Sequence, residues 1–428
     1  MKRLLTSLLL CVLPSLALAN SGLAQPSAQA LLQMSHNFEE ELLNNILPYW
    51  IKNAPNPATG GFYGEVAADG KANPQAARGA LMSSRLLWTY SAAYEGYRAE
   101  PLRKMADMAY KDLEKNFWDR KHGGLYWSVT ATGSPEQKHK QIYGQVFGIY
   151  GYVEYFRATG EKVALERAQE LFQLIEKHAF DKKNGGYIEA LNEDWSPLST
   201  LSTTLGVKTV KSQNTHLHIM EAYANLLRAW PDDTLRTQLT ALVNTMLTKV
   251  LNAKTNHLAL YMDADWKVQG DEISFGHDIE ASWLLVDAAQ ALGDPALLKR
   301  TRTLAIAMVD TVLAEGIDTD GALYNEASAS KGITQSEKDW WPQAEALVGL
   351  INAYQITGDD KYLFATMRTW GFIQAHLINS KTGEWHWGTD KHGKVIVKPT
   401  LSMWKSSYHN SRAMMQAIER MGLLAAHR

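Results

Sequence analysis

Gly123-Gly124-Leu125-Tyr126 and Gly185-Gly186-Tyr187-Ile188 are two copies of one short pattern, a pair of turn glycines followed by residues of strand type. The pattern first occurs at Gly60-Gly61-Phe62-Tyr63. It returns, eroded, at Leu258-Ala259-Leu260-Tyr261, Gly321-Ala322-Leu323-Tyr324 and Gly383-Glu384-Trp385-His386. The six units end at residues 63, 126, 188, 261, 324 and 386, with steps of 63, 62, 73, 63 and 62. So even a ladder marks a repeated supersecondary unit.

Between the turns the spacing is helical. Leu81-Met82-Ser83-Ser84-Arg85-Leu86-Leu87-Trp88 runs on into Tyr94-Glu95-Gly96-Tyr97. Residues 216–227, 279–291 and 344–354 carry apolar side chains three and four apart. One period holds two helices and a hairpin, and strands confined to hairpins argue against a parallel sheet. Six helix pairs predict an all-α fold closed as a double ring, six helices inside and six outside. An open solenoid would leave apolar inner helices facing water. No linker divides the chain, so one domain is expected over residues 35–424. In a closed ring the inner helices run the same way and start at one mouth, where the short β-hairpins also gather. Polar residues just after each hairpin should therefore converge.

Composition narrows the class. Hydrophobic residues make up 46% and charged residues 21%, the balance of a soluble globular protein. The start is different: Met1-Lys2-Arg3 precedes an almost uncharged run from Leu4 to Leu18, then Ala17-Leu18-Ala19 or Gly22-Leu23-Ala24. Residues 1–24 read as a signal peptide cleaved near 19 or 24, because the run is short for a span and no charged stop follows. The mature protein is expected in the periplasm or outside the cell, without Cys11 and hence without a disulfide. Loss of Lys2 and Arg3 leaves 41 basic against 45 acidic residues, a net charge of −4. That argues against a nucleic-acid partner, and no other stretch is apolar enough to span a membrane.

The post-hairpin segments are rich in candidates. The third repeat has Asn214-Thr215-His216-Leu217-His218; residues two apart on a helix point nearly opposite ways, so these histidines make a poor metal pair. The fourth has Ser274-Phe275-Gly276-His277-Asp278-Ile279-Glu280, in which His277 and Glu280 share a face and the carboxylate can orient the imidazole. The fifth has Trp340-Trp341-Pro342-Gln343-Ala344-Glu345, and the sixth has Trp404-Lys405-Ser406-Ser407-Tyr408-His409-Asn410-Ser411-Arg412. Arg85 stands in the apolar helix of the first repeat, and Tyr143-Gly144-Gln145 opens that of the second. Singly, each has a plain structural reading: Arg85 as an ion-pair member, Glu345 as an acceptor from a neighbouring helix, the tryptophans as core filling. Recurrence of histidine after the third, fourth and sixth hairpins is what points to a site.

Phe275-Gly276-His277-Asp278-Ile279-Glu280-Ala281-Ser282-Trp283 resembles the signature of cellobiose 2-epimerases, within the N-acylglucosamine 2-epimerase superfamily. Trp340-Trp341-Pro342-Gln343-Ala344-Glu345, Tyr408-His409-Asn410, Asn214-Thr215-His216-Leu217-His218 and Ser84-Arg85-Leu86-Leu87-Trp88 are similar as well, and the likeness runs from about residue 35 to about 420. The resemblance implies an (α/α)6 barrel. It implies His277 and His409 as the acid/base pair at C2, His218 as the aid to ring opening, Arg85 as the group that polarises sugar oxygens, and Glu280 as support for the neighbouring histidine. It implies substrate contacts from Tyr143, Asn214, Trp341 and Trp404, with Trp340 and Glu345 beside them. Two features depart from the family: Ser406-Ser407 and Ser411 stand where it has Cys-Pro and Gly, on a segment expected to shape the sugar subsites, and the chain carries an export signal.

The implied reaction inverts C2 of the reducing sugar of a small oligosaccharide such as cellobiose or mannobiose. The C2 hydrogen of an open-chain aldose is acidic; one histidine removes it, Arg85 stabilises the enediolate, and the other histidine returns a proton to the opposite face. This chemistry calls for no metal or nucleotide cofactor, and a monomer suffices. The rivals are an aldose–ketose isomerase, an inverting glycoside hydrolase with Glu280 and Glu345 as first suspects for its two carboxylates, and a non-catalytic glycan-binding protein.

Overall fold

The structure is a computed structural model describing residues 26–198 and 210–428; the signal-peptide reading of residues 1–24 lies outside the described residues. Six inner helices follow the six hairpins: α3 (Ala80–Tyr97), α5 (Ile142–Thr159), α7 (Gln213–Ala229), α9 (Phe275–Leu292), α11 (Trp340–Thr357) and α13 (Tyr408–Ala426). Each packs on the next and α13 packs on α3, so the ring is closed. The outer layer is α4 (Glu100–Asp112), α6 (Lys162–His178), α8 (Asp233–Thr245), α10 (Pro295–Glu315) and α12 (Asp360–Phe372), completed by α1 (Ala28–Glu40) and α2 (Leu47–Asn53), which are joined by a π turn, Glu41–Ile46. The expected (α/α)6 barrel is therefore found. No helix among the described residues is long and apolar enough to cross a membrane.

The inner helices are buried on nearly every side rather than along one stripe, because each touches two neighbours, an outer helix and the axis. Closure of the ring joins its first and last repeats. Trp50 Nε1–H donates to Glu384 at 2.5 Å, Trp385 Nε1–H donates to Glu41 at 2.8 Å, and Val66 bridges to Leu401.

Strands are two to four residues long and antiparallel. The strand leading into an inner helix pairs with the hairpin of the next repeat: Arg78–Gly79 with Ser128–Val129, Lys140–Gln141 with Ala190–Leu191, and so on round the mouth. A buried lysine in three of these lead-in strands, and Lys405 in the irregular segment before α13, each hold an acid of their own hairpin: Lys140–Asp119 and Lys211–Asp181 at 2.8 Å, Lys338–Asp318 and Lys405–Glu384 at 2.7 Å.

In four of the six inner helices the fourth residue then latches the hairpin. Leu125 N–H donates to Gln145 at 2.7 Å, Tyr187 N–H to His216 Nε2 at 2.9 Å, Leu258 N–H to Asp278 at 2.8 Å and Leu323 N–H to Gln343 at 2.7 Å. His216 is thus a structural latch; it donates from Nδ1 to the Ser212 carbonyl at 2.7 Å, and burial holds its pKa down to about 4.

The latches correct one register in the sequence reading. Leu258, bridged to Leu251, is the counterpart of Leu125, bridged to Trp118. The fourth unit therefore ends at Ala259, not Tyr261, which already belongs to the following strand. The turn is disguised because Asn256, at φ 59°, fills the left-handed position that glycine holds elsewhere.

Candidate active site

The converging helix starts enclose a cavity of about 220 Å³ at the mouth. Arg85, Tyr143, Asn214, His218, His277, Glu280, Trp340, Trp341, Trp404 and His409 all line it. Of the residues given a catalytic or substrate-binding role in the sequence, Glu345 alone stands behind the wall, fully buried. Ser406, Ser407 and Ser411 are also buried behind the cavity and shape none of its surface. Residues passed over in the sequence join the lining: Ser274, Trp387, Glu326 and Asp339.

His277 and His409 sit in the first turns of α9 and α13, whereas His218 lies nearly a turn deeper in its helix, level with Arg85 and Glu280 in theirs. Both outer histidines meet the Trp341 indole, with ring centroids 4.8 Å away for His277 and 5.7 Å for His409. Gly276 makes this possible, since a Cβ there would collide with the Trp341 ring. Trp404, 36% exposed, stands at the rim near Tyr143 and Trp127 and offers a flat apolar face.

Each histidine has a defined partner on Nδ1. His409 Nδ1 lies 2.7 Å from Glu345 Oε1, His218 Nδ1 lies 2.8 Å from Glu221 Oε2, and His277 Nδ1 lies 2.8 Å from Ser274 Oγ. This corrects the expected His277–Glu280 pair. Glu280 shares the helix face but turns to Arg412, whose Nη2–H donates to it at 2.7 Å. The sequence signal for the true partner of His218 was present, because His218-Ile219-Met220-Glu221 repeats the spacing of His277-Asp278-Ile279-Glu280.

Burial dominates the electrostatics. It pushes His277 down to about 3, helped by the charge of His218; it lowers His409 well below the usual value, helped by Arg85 and Arg412; and it lowers His218 against the opposing pull of Glu221. Burial tends to raise Glu221, but Arg412, His218 and Tyr408 bring it down to about 2. Glu280 is held well above the carboxylate range by burial and by the charge of Glu345. The imidazoles are neutral near pH 7 and ready to accept protons.

Arg85 is the counterpart of these bases. It is 3% exposed, no carboxylate among the described residues pairs with it, Nη2–H donates to Tyr143 Oη at 2.9 Å, Nη1–H donates to the Trp404 carbonyl at 3.2 Å, and the guanidinium lies 4.4 Å from the Phe147 ring centre. An unpaired buried cation is costly and suits a transient anion. Glu280, Glu345 and His409 bring three possible metal-ligand atoms within 4.8 Å of one another. Arg412 already donates to both carboxylates at 2.7 Å, so a side chain holds the place a metal cation would take.

Free-enzyme histidines lowered by burial must be protonated well below pH 6.5 before basic catalysis fails. The profile of kcat/KM, which reports the free enzyme, is expected to show no break between pH 6 and 7, its acid limb lying lower. A clear inflection near 6.5 with a neutral sugar would contradict the environment described for these rings.

The sequence profile of the N-acylglucosamine 2-epimerase (GlcNAc 2-epimerase) family matches residues 61–413. The cellobiose 2-epimerase of Bacteroides fragilis is 38% identical over 387 residues, covering 90% of this chain and 98% of that protein. The cellobiose 2-epimerase of Dictyoglomus turgidum is 37% identical over 386 residues, covering 89% and 97%. The solved cellobiose 2-epimerase of Bacillus thermoamylovorans B4167 superposes with a TM-score of 0.86 at 34% identity, covering 91% of this chain and 99% of that one.

Proposed function

Since the chain belongs to the N-acylglucosamine 2-epimerase family, and resembles its cellobiose 2-epimerases along most of its length, we propose that it inverts C2 at the reducing end of a β-linked disaccharide or short oligosaccharide, of cellobiose or mannobiose type. The supporting observation is the pair of imidazoles, His277 and His409, set against one tryptophan in a cavity that also holds an unpaired guanidinium. His218, deeper in the cavity, assists opening of the sugar ring. One outer histidine takes the C2 proton, and Arg85 with the Tyr143 hydroxyl stabilises the charge that moves onto the C1 oxygen of the enediolate. The other returns a proton from the opposite face, and inversion results. Trp404 and Trp387 offer platforms for the apolar faces of the second sugar. The basic start and apolar run of residues 1–24 support work outside the cytoplasm.

Turnover in deuterated water tests the reading, with cellobiose, mannobiose, lactose, mannose and glucose as substrates. Epimerisation deposits deuterium at C2 and conserves the number of reducing ends. Label at C1 would mean aldose–ketose isomerisation, and new reducing ends would mean hydrolysis; either would overturn the proposal.

A further inference from the structure

The chemistry above uses the cavity side of the histidines. Behind them, the carboxylates gather on one residue. Arg412 of α13 is 1% exposed and lines no part of the substrate cavity. Its Nη2–H donates to Glu280 Oε1 and to Glu345 Oε1, both at 2.7 Å, and its Nη1–H donates to Glu221 Oε1 and Tyr408 Oη. Helices α7, α9 and α11 thus each present one carboxyl group to the same guanidinium.

Two of these groups are the histidine partners. Glu345 Oε1 meets both Arg412 Nη2 and His409 Nδ1; Glu221 gives Oε1 to Arg412 and Oε2 to His218 Nδ1. A guanidinium only donates. A carboxylate held by it therefore accepts from the ring, which puts the imidazole proton on Nδ1 and leaves the Nε2 lone pair for chemistry.

We propose that Arg412 is a positioning residue that sets the tautomers of His218 and His409 together, from a place the sugar does not touch. The inference rests on the histidine reading of the function. Without the guanidinium, three carboxyl groups face one another in a buried space and some must take up protons. A protonated Glu345 or Glu221 then donates to Nδ1, and the imidazole proton moves to Nε2, the nitrogen that must be basic. In a serine-protease triad the wrong tautomer costs about 10⁴-fold in kcat.

The barrel supplies a way to test this. A second cavity of about 260 Å³ opens at the end opposite the mouth, among the later turns of the inner helices, and is lined by Arg412 and Glu221 themselves together with Trp88, Asn225 and Trp283. Small solutes can reach the hub from there. In Arg412→Gly, kcat is expected to fall by about 10³-fold or more while KM stays within about threefold, as befits a group acting away from bound substrate. Guanidinium chloride at tens of millimolar should restore kcat at least about tenfold, and urea, its neutral counterpart, should not. In Arg412→Met, nitrogen NMR of labelled histidines should show protons moving from Nδ1 to Nε2. A folded variant with kcat within tenfold of the parent would overturn the proposal. So would a folded, inactive variant with unchanged tautomers and no response to guanidinium. If His277→Ala and His409→Ala stay active, the base assignment fails instead, and the NMR measurement, which needs no turnover, still decides the role of Arg412.

Discussion

His277→Ala and His409→Ala are each expected to lower kcat for C2 inversion on the order of 10⁴-fold, the upper end of what a positioned acid or base contributes. Two bases on opposite faces make a sharper forecast than loss of activity. With one base gone, the other still meets the C2 hydrogen of one epimer. Each variant should therefore wash deuterium from solvent into one epimer of the disaccharide without inverting it, and the two variants should act on opposite epimers. His277 offers the cleaner test, because its ring touches Ser274 and Trp341 and takes no part in the Arg412 array. The measurement is product chromatography with mass analysis of the recovered sugar, beside circular dichroism of the folded variant. Inversion by either variant within tenfold of the parent would sink the assignment.

The second large effect belongs to Arg85. Arg85→Met should cost about 10²–10³-fold in kcat, the range found when a donor to a developing oxyanion is removed, with little change in KM because that charge exists only late in the reaction. Stability should move the other way. The guanidinium is buried without a carboxylate partner among the described residues and rests among the rings of Phe147, Tyr408 and Tyr143. Methionine keeps the apolar contact and removes the desolvated charge, so the variant should melt at the same temperature as the parent or higher. A thermal melt beside the kinetics decides it: a large fall in Tm would show that Arg85 holds the barrel together rather than serving the reaction.

The architecture was legible because each unit must solve the same backbone problem. A tight turn needs left-handed residues, glycine supplies them cheaply, and the ladder of glycines gives the period. It failed at the fourth unit, where Asn256 does the same work under a different letter. A further periodic signal went unread: Lys140, Lys211, Lys338 and Lys405 each stand two or three residues before the start of an inner helix, where a buried cation holds the hairpin acid. Which residues face the cavity was also largely legible, since helix starts converge in any such ring. The partnerships were not. Spacing along one helix put Glu280 beside His277, yet Glu280 is drawn across the barrel by Arg412. The partner of His409 comes from α11, a contact that no spacing within one helix reveals. Glu345 accordingly changes from a sugar contact to the acceptor behind a base.

Ring closure has a consequence for how the chain assembles. A solenoid can nucleate anywhere, grow by neighbours and end in polar capping repeats. This ring has no such caps. Its seam is sewn by tryptophan–glutamate bonds between segments 334 and 344 residues apart. Until that seam forms, the first and last inner helices each present an uncovered apolar flank. Contacts of such long sequence separation slow folding, and exposed flanks of this kind invite association between chains. The late, vulnerable intermediate on the route to the native enzyme is an open arc, and cutting the seam should yield aggregation rather than a soluble five-sixths barrel.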